Sequence, residues 1–215
     1  MVKLEKSVLR EGLVIKKDSD YRSGEIFRIL LEDCYHKCYI CEIKPIPSEV
    51  EHRLTHKGDE ELKYDWYNIF YSCRYCNKVK NQRKFDSGII DPTKIDPEEY
   101  IDLHMDYGTL REKVVIVKKL KDNDLVDVTV ELLNTVYNND STDINREAAF
   151  NLRNRISDQL NVFLMHIKLY QEEQRIGDYD KIKNEISRSS EFAAFKRKIV
   201  RDDPELSKVF ADSLV

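Results

Sequence analysis

The sequence predicts an α+β protein, with a cysteine-bearing block of short strands and helices ahead of a mainly helical C-terminal region. Three observations carry this. Two CxxC pairs, Cys38/Cys41 and Cys73/Cys76, frame the first half. Ile101, Leu103 and Met105 alternate with Asp102, His104 and Asp106, the period of a half-buried strand. Apolar residues then recur three and four apart at Ala149, Leu152, Ile156, Leu160, Phe163, Ile167 and Tyr170, one stripe of a long helix over residues 146–176.

Taken in order, residues 1–22 read as a loosely structured arm, and residues 23–32 as a short helix with Ile26, Phe27, Ile29, Leu30 and Leu31 turned to the core. Within a domain over residues 23–110, the residues that look chemical are concentrated from Cys34 to Asp91 and end in the turn-prone Ser87-Gly88 and Asp91-Pro92. Asp96-Pro97-Glu98-Glu99 resembles a helix start, and residues 114–117 pair with the strand that follows it. Residues 111–215 form the helical region, with helices over residues 126–136, 146–176 and 191–200. For the long stripe, core packing outweighs a groove for a partner; Lys196, Arg197, Lys198 and Arg201 read as a solvated basic face.

The length allows an ordinary core, and only 6 Gly and 5 Pro among 215 residues exclude a fibrous or disordered chain. No stretch approaches the length that spans a bilayer, and the first residues alternate charged and apolar side chains without a secretory apolar run, so a cytoplasmic location is expected. The net charge of -4 excludes attraction to nucleic acid over the whole surface. Residues 74–84 are the exception, with Arg74, Lys78, Lys80, Arg83 and Lys84 and no acid between them.

Five cysteines clustered in residues 34–76 point to metal binding rather than disulfides. Each CxxC knuckle can place two thiolates on one ion, and four sulfurs close the tetrahedral shell of a structural Zn2+. The 31 residues between the knuckles exceed the usual ribbon spacing, so something is inserted there. Cys34 reads as a plain buried or free thiol, and His36, placed between the cysteines, has no ligand geometry.

The insertion carries Glu51-His52 and Asn68 after Trp66-Tyr67, and the second knuckle continues as Cys76-Asn77-Lys78-Val79-Lys80. In this order the residues resemble the HNH endonuclease family. The resemblance implies a ββα-metal (HNH/His-Me finger) core with Glu51 and His52 at a strand end, Asn68 in the loop and Asn77 on the helix. It implies His52 as general base, Glu51 and Asn77 as ligands of a catalytic Mg2+ or Mn2+, and Asn68 as an orienting residue that bridges loop backbone or holds His52. Glu51 stands where the family more often has Asp. Lys78, Lys80 and Arg74 are the expected nucleic-acid contacts; Trp66 reads as core and His56 as a solvated loop residue.

Asp91-Pro92, Asp96-Pro97-Glu98-Glu99-Tyr100-Ile101, residues 128–134 and Phe192-x2-Phe195-Lys196-Arg197 are similar to the PtuB-type HNH nucleases of bacterial anti-phage systems, the Septu systems and some retrons. That resemblance implies an ABC/SMC-like ATPase as partner. The alternative is a non-catalytic, zinc-stapled module that binds nucleic acid or protein, which needs only the cysteines and the basic helix.

Overall fold

Helix α1 (Asp18–Arg22) and helix α2 (Gly24–Asp33) lead into the first knuckle, α2 burying Ile26 and Leu30 one turn apart. Tyr35 and His36 follow in the left-handed region, φ 54° and 55°, which ends the helix and reverses the chain so that Cys38 comes back under it. These features come from a computed structural model that describes residues 1–44, 48–108, 111–121, 123–173 and 176–214.

Strand β1 (Ser48–His52) pairs antiparallel with β2 (Ile69–Cys73), Glu49 opposite Ser72 and Glu51 opposite Phe70. Between them lie helix α3 (Glu60–Lys63), capped by Asp59, and a 3-10 turn over Trp66–Asn68, capped by Asp65. β2 runs directly into helix α4 (Arg74–Lys80), whose N-cap is Cys73 itself. The local order is therefore β1, β2, then helix α4, with Cys38 and Cys41 ahead of β1 and Cys73 and Cys76 at the β2–α4 seam. Gly88 supports this unit from below: at φ 82° it lies where a Cβ would come within 2.4 Å of the Leu54 side chain.

The second sheet pairs β3 (Ile101–Asp106) with β4 (Lys113–Lys118), inward residues alternating along β3 as the sequence predicts. Helix α5 (Val126–Tyr137) covers it, followed by α6 (Asp143–Glu173), α7 (Ile176–Glu185), α8 (Ala193–Asp202) and α9 (Pro204–Val209). The α6 stripe is buried as core from Ala149 to Ile167. The long helix predicted over residues 146–176 is α6 up to Glu173, with Ile176 already the start of α7; residues 174–175 and the block boundary at residue 110 lie outside the described residues. The expected helix at Asp96-Pro97 is a single 3-10 turn, Pro97–Glu99. One apolar cluster joins residues of the first segment, the cysteine block and α5, α6 and α8; a second gathers Phe163, Ile167, Ile182, Ile186, Val200, Leu206 and Phe210. Among the described residues no helix is long and apolar enough to cross a membrane.

Two expectations are corrected. Residues 1–22 are not a loose arm: Met1, Val2 and Leu4 are buried, Leu4 N donates to Pro92 O, and Lys6 lies 3.4 Å above the Trp66 ring. The alternation of charged and apolar residues there is that of a segment buried on one side. Nor is the α8 basic face solvated throughout. Lys196 and Arg197 are buried and paired, Lys196 with Glu185 at 2.8 Å and Arg197 with Glu98 at 2.7 Å.

Candidate metal centre and hairpin site

Cys38, Cys41, Cys73 and Cys76 are all buried, and their sulfurs lie within 4.8 Å of one another. Cys41 and Cys73 sulfurs are 3.8 Å apart, the edge of a tetrahedron whose centre-to-sulfur distance is the roughly 2.3 Å of a Zn–S bond. The four residues therefore fit a structural zinc ion. Hydrogen bonds from Cys38, Cys41 and Cys76 hold the Cys73 thiol far below its usual range, while burial pushes Cys41 and Cys76 well above theirs. A dication would turn all four into thiolates, and its loss would leave buried sulfurs competing for one charge.

The knuckle is tied to the helical half through Glu42, buried and at φ 65° just past Cys41; the Glu42 Oε2 accepts from Ala194 N at 3.3 Å. Burial opposes its charge, but Lys37 at 3.0 Å and the Met1 amino group at 2.9 Å outweigh it and hold the carboxyl down to about 2. Cys34 is buried and its thiol is pushed up to about 11 by burial, as a plain core thiol; His36 is exposed.

Along β1 successive side chains take opposite faces. Glu49 and Glu51 reach α4, whereas His52 turns to the other side, against Tyr21 and His56. His52 Nε2 lies 2.9 Å from Lys63 O. A carbonyl only accepts, so Nε2 carries the proton and Nδ1 keeps its lone pair. Burial holds the imidazole below its usual range. Asn68 fixes the surrounding loop: Leu54 N donates to its Oδ1 at 2.8 Å, and its Nδ2 donates to Leu54 O and Leu62 O at 3.0 Å each. Of the two expected roles, Asn68 takes the bridging of loop backbone.

Glu51 and Asn77 do not come together as a cation site. Glu51 Oε2 accepts from the Tyr39 hydroxyl, and its Oε1 lies 3.5 Å from Lys80 Nζ, with both side chains sealed from solvent. Burial raises the Glu51 pKa, against the pull of Lys80 and Tyr39. Asn77 instead donates from Nδ2 to Glu49, and its Oδ1 accepts from Asn81. A dication at Glu51 would have to displace an ammonium from a closed pocket. The residues as placed do not fit the expected Mg2+ or Mn2+, and the pairing is the reason: Lys80 holds Glu51, while Glu49 holds Asn77.

Lys80 is corrected for the same cause. Fully buried against Glu51, it cannot reach a phosphate. Arg74 and Lys78 are exposed and remain available. Trp66 is core, its Nε1 donating to Ser7 O. Sequence reasoning missed Glu49 and Arg22, which line a cleft of about 410 Å³ with Phe27, Val50 and Asn77. The Glu-x-Glu spacing of 49 and 51 signalled a shared face; nothing local signalled Arg22, which comes from α1. No protein-family model, curated protein or solved structure matches the chain.

Proposed function

We propose that this chain is an endonuclease that hydrolyses phosphodiester bonds of nucleic acid, built on a zinc-stapled hairpin and using His52 as general base. One observation carries the reading: a half-buried imidazole is oriented by Lys63 O, in a loop that Asn68 holds by three hydrogen bonds, with Nδ1 left as a proton acceptor. A histidine kept neutral near pH 7 suits the removal of a proton from water. Nδ1 takes that proton as the water oxygen attacks phosphorus, the bond to the leaving oxygen breaks, and the leaving oxygen is protonated from solvent.

The acidic balance of the whole chain supports dependence on a partner for delivery to nucleic acid, and an ABC/SMC-like ATPase of a bacterial anti-phage system is the partner the sequence resemblance implies. A second reading is favoured by the neutralisation of Glu51: a zinc-stapled binding module without catalysis. The two separate in one experiment. Plasmid, single-stranded DNA and tRNA are incubated with the zinc-loaded chain, with and without the ATPase, in magnesium, manganese or chelator, beside His52→Ala. Cleavage lost in His52→Ala with zinc retained supports the nuclease; cleavage unchanged in that variant, or absent throughout, leaves the binding module.

A further inference from the structure

A groove of about 580 Å³ runs between α4 and the N-terminal half of α6, beside the cysteine cluster. Its walls carry cations from three elements: Lys44 after the first knuckle, Arg74 and Lys78 from α4, and Arg155 from α6. Among the described residues no carboxylate lines it, although acidic residues outnumber basic ones in the chain, 40 to 36. Arg74 and Arg155 are held by single contacts, with Glu49 at 3.1 Å and Glu191 at 2.7 Å, and stay 70% and 45% exposed, so guanidinium donors remain free. The ammonium groups of Lys44 and Lys78 pair with no carboxylate among the described residues, although Lys44 N donates to Glu191 Oε1 at 2.6 Å. Between the cations the surface is apolar and amide-bearing, with Leu152, the exposed Ile144 and Asn151.

We propose that this groove holds a single strand of nucleic acid, phosphates against the four cations and unstacked bases against the α6 wall. Cations alone would serve any polyanion. The apolar and amide surface between them serves flat bases with polar edges, which a duplex keeps stacked inside and an acidic peptide lacks. The inference rests on the nuclease reading only for the class of ligand; the groove's chemistry is independent of His52.

The test is fluorescence anisotropy of a dye-labelled oligothymidylate with the full zinc-loaded chain across a salt series. Lys44→Ala/Lys78→Ala removes two exposed cations and leaves the paired arginines that hold the walls. It is expected to weaken binding about tenfold and to make the slope of log affinity against log salt less negative by about 1.4, at about 0.7 for each phosphate that is no longer neutralised. His52→Ala is expected to bind as the wild type does. Wild-type affinity and slope in the double variant overturn the proposal, as do absent binding, equal binding of a duplex, or displacement of the strand by an acidic peptide of equal charge. Failure of the nuclease reading looks different: the strand binds through Lys44 and Lys78 and is not cut, or His52→Ala cuts it unchanged.

Discussion

Lys80 Nζ stands 3.5 Å from Glu51 Oε1 in a pocket closed to solvent, an ion pair where a cation site was expected. Among the described residues neither atom has a hydrogen-bond partner besides, although Glu51 Oε2 takes the Tyr39 hydroxyl. Removing one member of such a pair strands the other charge, so Lys80→Ala should destabilise by about 3–5 kcal/mol, while Glu51→Gln/Lys80→Met should recover most of that loss in denaturant titration. The pair also tests the site: Glu51→Gln should retain cleavage, and abolished cleavage in a folded Glu51→Gln protein would return Glu51 to the role of cation ligand.

Arg197 joins the two halves. Its Nε donates to Glu98 at 2.7 Å, and its remaining N–H groups reach Ile186 O, Ser213 O and Leu214 O. Arg201 takes the other Glu98 oxygen at 2.7 Å. Arg197→Ala leaves a buried carboxylate with one exposed-side partner, and a loss of roughly 3 kcal/mol is expected by thermal unfolding. Arg197→Lys should recover little, because an ammonium lacks the planar fork that reaches four oxygens.

Asn68→Ala removes three hydrogen bonds from the loop that carries Lys63 O. A stability loss of about 2–3 kcal/mol should come with a larger fall in cleavage than in zinc content, since the cysteines are untouched. Equal losses of both would mean that Asn68 serves the fold alone.

Cys73 is both one of the four sulfurs that fit a zinc ion and the N-cap of α4, accepting from Cys76 N at 3.3 Å. Cys73→Ser should bring the zinc content, measured by atomic emission after gel filtration, from about one ion per chain to near zero. Chelation of the wild type should lower its melting temperature; a chelator-resistant fold would show that the cluster does not depend on metal.

The His52 pKa is lowered mainly by burial, so the neutral base persists below pH 6.5, the usual histidine value. The acid limb of the cleavage profile should therefore fall below 6.5. Stability runs in the same direction: as pH drops through 6.5 the unfolded chain takes up a proton that the folded imidazole does not, so stability is lost toward lower pH until the folded group also titrates. His52→Asn should flatten that part of the stability curve.

The sequence by itself determined the zinc cluster, because two CxxC spacings leave few other ways to use four buried thiols. It also determined β3, α5 and the core stripe of α6, because strand and helix periods are local. What it could not decide was direction. Glu51 and His52 are neighbours in the chain, yet the pleat sends one toward Lys80 on α4 and the other toward Lys63 O. Lys80 reads as a phosphate contact, and Lys196 and Arg197 as a solvated face, until Glu51, Glu185 and Glu98 arrive from distant segments. Only tertiary structure brings those carboxylates, and a buried cation exists where its partner's position, not its own neighbours, offsets the loss of water.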